Sequence, residues 1–149
     1  MIRVQTEPFD LSSAMAELRQ GKTSLGGTAI FVGSVRDRSE TDAVQSMTLE
    51  HYPGMTETAL AAIEQDARAR WSVDDVLIIH RYGTLYPGDD IVLVVVTSAH
   101  REAAFQACQF LMDWLKTKAP FWKLEEGPGK SAWVEAKSSD TAAANRWNK

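Results

Sequence analysis

A single cysteine, Cys108, is present among 149 residues. That excludes a disulfide framework and a cysteine-built zinc site. Basic residues are not in surplus: the formal net charge is −4, so the chain lacks the electrostatic footprint of a nucleic-acid binder. No apolar run is long enough to span a bilayer, and the opening MIRVQTEPFD has no signal-peptide core, so a soluble, cytoplasmic protein is expected. Also missing are a Gly-x-Ser-x-Gly elbow, a P-loop, a dinucleotide fingerprint, a paired-carboxylate motif, an internal repeat and a heptad seam. What is left is one globular domain over residues 1–149, 44% hydrophobic and with five tryptophans, large enough to bury a core.

Periodicity divides the chain into alternating elements. Ile2 to Thr6 predicts a strand, and Asp10 caps a helix reaching Arg19 with Leu11, Met15 and Leu18 at helical spacing. GGTAIFVGSV (26–35) predicts a mainly buried strand in which Gly33 marks a bulge or a close backbone approach. Residues 36–43 have no apolar period and are expected to form a mobile loop. Val44 to Tyr52 alternates as a strand, and Thr56 to Trp71 carries a helical stripe of Ala59, Leu60, Ile63, Ala67 and Trp71. Two strands, 76–82 and 91–97, are joined by a turn at Pro87-Gly88; the second reads IVLVVV, too apolar for a wet face. A helix capped by Ser98 runs to Lys118, PFWKLE follows as a strand, and a last strand is expected at 133–136. In the tail, 138–149, a short helix is predicted that is too small to stand alone, so Trp133 and Trp147 are expected to dock on something, a second subunit being one choice. Strands joined by short turns with helices inserted predict an α+β fold with a mainly antiparallel sheet.

The chemistry gathers in TSAHREAAFQACQFLMDWLKTKAPFWK (97–123). His100 and Arg101 fall where a helix begins, the end that disfavours cations unless an anion such as a phosphate sits on the free backbone N–H groups. Both side chains facing solvent is the plainer alternative. Lys116 and Lys118 occupy the last turn, where the dipole favours them. In the following strand a period of two puts Phe121, Lys123 and Glu125 on one face. An amine among aromatics is either partly desolvated, hence a candidate proton-transfer group or nucleophile, or a snorkelling lysine with a wet head. Arg36, at the mouth of a buried strand, is either a ligand contact or a solvated loop arginine, and Arg38 is the weaker of the two. Cys108 lies on the helix stripe with Ala104, Leu111 and Leu115, the place for a buried thiol. His51 and His80 read as structural histidines. If Arg36, His100, Arg101, Lys116 and Lys123 converge, they form a cationic hollow suited to an anionic small molecule.

Four segments, LEHYPGMTE (49–57), HRYGTLYPGDD (80–90), TSAHREAAF (97–105) and LKTKAPFWK (115–123), closely resemble the catalytic, large subunit of molybdopterin synthase, and the similarity extends from about Ile30 to Trp147. The resemblance implies an α/β-hammerhead fold and a sulfurtransferase of molybdenum cofactor biosynthesis. Two sulfurs would pass from the C-terminal glycine thiocarboxylate of a small ubiquitin-like partner to cyclic pyranopterin monophosphate, giving molybdopterin. It further implies a central homodimer within a heterotetramer, no resident cofactor and no metal site. Carried over by position, Lys116 and Lys123 are the catalytic lysines, Arg36 contacts substrate, and His100-Arg101 hold its phosphate-bearing part. Ser34, Val35, Leu124 and Glu125 would line the same site. Lys137 stands where relatives often carry an arginine reaching across the dimer, and lysine cannot reproduce a bidentate guanidinium contact. A module that senses an anionic metabolite, and a structural partner of a ubiquitin-like protein, are the alternatives.

Overall fold

The structure is a computed structural model that describes residues 1–39, 42–134 and 138–148. In chain order the first half comprises β1 (Ile2–Gln5), α1 (Leu11–Arg19), β2 (Gly27–Ser34), β3 (Arg38–Ser39), β4 (Asp42–Ala43), β5 (Ser46–His51) and α2 (Met55–Arg70). The second half comprises β6 (Asp75–Arg81), β7 (Gly83–Leu85), β8 (Asp90–Ser98), α3 (Arg101–Lys118), β9 (Phe121–Gly127), β10 (Lys130–Val134) and α4 (Ser138–Asn145), closed by a 3-10 turn over Arg146–Asn148. Two four-stranded sheets result, ordered β1-β6-β8-β2 and β10-β9-β5-β7, and β3 pairs only with β4. All ladders are antiparallel except β1 with β6. The α+β, antiparallel-dominated expectation holds. None of the helices in the described residues is long and apolar enough to cross a membrane.

The run IVLVVV has no wet face because the first sheet is covered on both sides. Alternation sends Leu77, Ile79, Leu93 and Val95 toward Ala14 and Leu18 of α1. Their neighbours Val76, Ile78, Val92, Val94 and Val96 face Leu60 and Ile63 of α2 and Ala104, Phe110 and Leu111 of α3. Each such side chain contributes roughly 1.5–3 kcal/mol by leaving water. An exposed pair such as Arg3–Glu17, at 3.0 Å, contributes about 0–1 kcal/mol, so burial decides the fold.

Local signals explain the ends. Asp10 caps α1, its carboxylate accepting from the Ser12 backbone N–H at 3.3 Å. Gly54 (φ 86°) admits the turn before α2, and the Glu57 carboxylate accepts its N–H at 2.6 Å. Several expected bounds are corrected. Ser98 ends β8, and His100 is the N-cap of α3; the Ser98 hydroxyl still accepts from the His100 N–H at 3.3 Å. The last strand starts at Lys130 rather than Trp133, because the turn at Pro128-Gly129 folds β10 back on β9; residues 135–136 of that expectation lie outside the described residues. Residues 36–43, expected as loop, contain the β3–β4 ladder. β7 was not foreseen; three residues beside Gly83 give no period, yet Leu85 is fully buried against β5. Trp147 docks within its own chain, edge-on to Trp71 and Phe110, with its indole N–H donating to Asp113 at 2.7 Å.

Candidate active site

A corner in the backbone brings two lysines together. Pro120 cannot continue a helix and forces its predecessor out of the helical region, so Ala119 is extended (φ −70°, ψ 133°) and α3 stops. The chain resumes at once as β9. Lys116, in the last turn of α3, and Lys123, the third residue of β9, therefore line the same cavity. Burial is the main cause that holds Lys123 down to about 8, and the neighbouring Lys116 charge adds to it; Asp140 and Glu125 act in the opposite direction.

A second corner supplies the arginine. The β2–β8 register slips between Gly33 and Ser34, a bulge that turns the strand end. Glycine is needed there because a Cβ would lie 2.7 Å from Val92 Cγ1. Past the bulge, the Ser34 hydroxyl donates to Asp90 at 2.7 Å. Val35 is buried, its N–H bonded to Asp89 O and its carbonyl accepting from Gly88 N–H, each at 2.8 Å. Val35 is thus an anchor in the core, and Arg36 is released at the cavity mouth.

The cavity has two adjoining lobes that share Ser34, Arg36, Ile91, Lys116, Phe121 and Lys123. The polar lobe, about 230 Å³, adds Arg38, Trp122, Glu125 and Asp140. The apolar lobe, about 290 Å³, adds Phe31, His80, Met112, Leu115 and Ala119. Each is near the size of a small-molecule site. The lobes lie at the seam between the two sheets, where the end of β2 and the start of β9 meet the end of α3. Three cations at their shared wall suit an anion, and the lowered basicity of Lys123 makes it able to gain or lose a proton near neutral pH.

Of the expected residues, Ser34, Arg36, Lys116, Lys123 and Glu125 line this cavity. Val35 and Leu124 do not; Leu124 pairs with Thr48 and Trp133 in the second sheet. His100 and Arg101 are exposed at the opposite end of α3, about 22 Å from Lys116 along the helix axis. The five cations therefore do not share one hollow within a single chain; three do. Gly27 lets that helix start approach β2, since a Cβ there would lie 3.1 Å from Arg101 Cα. Lys137 lies outside the described residues. Arg38, the weaker of the two arginine candidates, also lines the polar lobe, whereas Trp122, Asp140 and His80 were not among the expected site residues. Nothing local marks Asp140, which α4 carries in from the end of the chain, and His80 sits inside an apolar strand that reads as core. Cys108 is buried in the core, which pushes its thiol up to about 11 and leaves it protonated at neutral pH.

The profile of the family described as MoaE protein matches residues 4–118. The chain is 51% identical over 146 residues to the molybdopterin synthase catalytic subunit of Escherichia coli K12, covering 98% of this chain and 97% of that one. Among solved structures, the molybdopterin biosynthesis MoaE protein of Burkholderia ambifaria superposes with a TM-score of 0.85 at 49% identity, covering 100% of this chain and 98% of the other. Molybdopterin synthase from Staphylococcus aureus gives a TM-score of 0.82 at 28% identity, over 89% of this chain and 96% of the other.

Proposed function

Since the chain belongs to the MoaE family, whose Escherichia coli relative is a molybdopterin synthase catalytic subunit, we propose that it performs the sulfur-transfer step of molybdenum cofactor biosynthesis. The substrate is cyclic pyranopterin monophosphate, and the product is the dithiolene molybdopterin. The two sulfurs come from the C-terminal glycine thiocarboxylate of a small ubiquitin-like partner, whose extended tail reaches the lysine pair as a peptide laid in a groove. An external donor fits this chain, because its one thiol is buried and protonated.

The amine pair supports this assignment most directly. Lys123 is held where it can exchange a proton near pH 8, beside Lys116 and Arg36. As the thiocarboxylate sulfur attacks the pterin, protons must move at the reacting carbon. When water later cleaves the acyl–sulfur bond and frees the glycine carboxylate, they must move again. Lys123 serves those transfers, Lys116 adds to burial in lowering its basicity, and Arg36 contacts the substrate at the cavity wall. His100 and Arg101 suit the phosphate but lie too far away in the same chain. In the proposed homodimer, the second copy supplies them. Phe31 and Phe105, 41% and 65% exposed on β2 and α3, give that copy an apolar surface to cover.

Lys116→Ala and Lys123→Ala should each lower dithiolene formation by about 10²- to 10⁴-fold. Circular dichroism and dimer mass should stay unchanged. Near-normal turnover of either variant with thiocarboxylated partner would overturn the proposal.

A further inference from the structure

His80 is the one buried imidazole at the wall of the apolar lobe, with 4% of its surface exposed. Its Nδ1 lies 2.8 Å from the Arg81 carbonyl oxygen. A carbonyl only accepts, so Nδ1 carries the proton and Nε2 keeps a lone pair. The ring is stacked on Phe121, 3.7 Å between centroids and 16° from parallel. Phe121 is two residues before Lys123 on the same strand face, so the imidazole stacks on the ring next to Lys123 along that face. Arg81 cannot turn toward the lobe, since its guanidinium donates to Thr6 O at 3.1 Å and Asp90 O at 2.9 Å. With Nδ1 engaged, the ring nitrogen left for the cavity is Nε2, an uncharged acceptor in a lobe that Lys116 and Lys123 also line.

We propose that His80 is a positioning residue for Lys123: its Nε2 lone pair receives the Lys123 ammonium in the apolar lobe, fixing where the amine points and holding its proton. The inference rests on the assignment of Lys123 as the proton-handling group. A core histidine needs no cavity wall, no cationic neighbours and no particular tautomer, and this one has all three. Burial, with Lys123 and Lys116 nearby, holds His80 down to about 3, so it remains an acceptor throughout the working range. The other charged or titratable groups about the amine are Lys116 from α3, Arg36 and Arg38 beyond β2, Glu125 on β9, Asp140 on α4, and His51 behind Phe121. The carboxylates among them also favour the ammonium, so the His80 contribution has to be isolated by substitution.

An acceptor stabilises the protonated amine, so its removal should lower the basicity of Lys123. The test is a titration of the full chain labelled with ¹³Cε-lysine, with the Lys123 resonance identified by its loss in Lys123→Arg. In His80→Phe, which keeps ring and stacking, the midpoint should fall by about one pH unit, the effect of losing one hydrogen bond to a charged group. In His80→Gln, whose side-chain oxygen reaches the position of Nε2, it should return to the wild-type value. Should His80→Phe not fold, His80→Asn replaces it, keeping a donor for Arg81 O while withdrawing the acceptor. An unchanged midpoint in the folded Phe or Asn variant would overturn the inference. So would an equal fall in His80→Gln, which would assign the shift to packing. Neither result depends on turnover, so the sulfur-transfer assignment stands or falls separately on the lysine variants.

Discussion

At Lys123 an amine is kept partly out of water, and burial with the Lys116 charge brings it from an ordinary 10.5 to about 8. The sign of the consequence follows from proton counting. Below about 8 the folded and unfolded chains both carry the proton, and the full cost of a desolvated cation is present. Between about 8 and 10.5 the unfolded chain binds more protons, so stability contributed at this site rises with pH. Lys123→Met should therefore raise the melting temperature at pH 7 by about 3 °C while abolishing turnover. Its advantage should fade as pH climbs toward 10.5, which calorimetry across pH can check. Residue chemistry was legible where it stood at element ends: Arg36 after a buried strand, Lys116 and Lys123 either side of Ala119-Pro120. It was not legible for His80, because an apolar run such as VLIIH looks the same whether its histidine faces core or cavity.

Elements place these groups through two corners. The Pro120 stop could be read from sequence because proline acts on its immediate neighbours. The Gly33 irregularity could be read too, as a glycine in a strand, although its partner Val92 could not. Gly33→Ala should destabilise the fold by about 1–3 kcal/mol, since the new methyl meets Val92 Cγ1 in a packed region. Val92→Ala should restore much of that loss, so the double mutant measured by urea unfolding should show strong positive coupling. Simple addition of the two costs would show that the glycine is not required by Val92. Short or non-local elements escaped notice for a common reason. β7 is three residues long, and the β5–β9 ladder joins segments about 75 residues apart, which no local window contains.

Across the whole molecule, the cationic start of α3 and the lysine pair lie at opposite ends of one helix. That separation could not be foreseen, because two ends of a helix give no sign of which copy completes which site. If one copy's His100-Arg101 end serves the other copy's cavity, two inactive variants should rescue each other. Lys123→Ala and Arg101→Ala chains, unfolded and refolded together, should recover about a quarter of wild-type turnover, since half the dimers are mixed and each has one intact site. No recovery, with mixed dimers confirmed by mass, would mean that both groups act within one chain. The fold class was legible at this scale because buried strands and amphipathic helices announce themselves. Division of the strands into two sheets, and hence the seam that holds the cavity, was not.

The kink at Gly33 also bears on how the molecule behaves among its own kind. β2 is the outermost strand of its sheet, and its peptide groups offer a template onto which a stranger's strand could zip. Past the slipped register between Gly33 and Ser34 the edge is bent, which disfavours continuation of such pairing beyond Gly33. One glycine thus shapes the cavity wall and ends the regular stretch of that sheet edge at the same time.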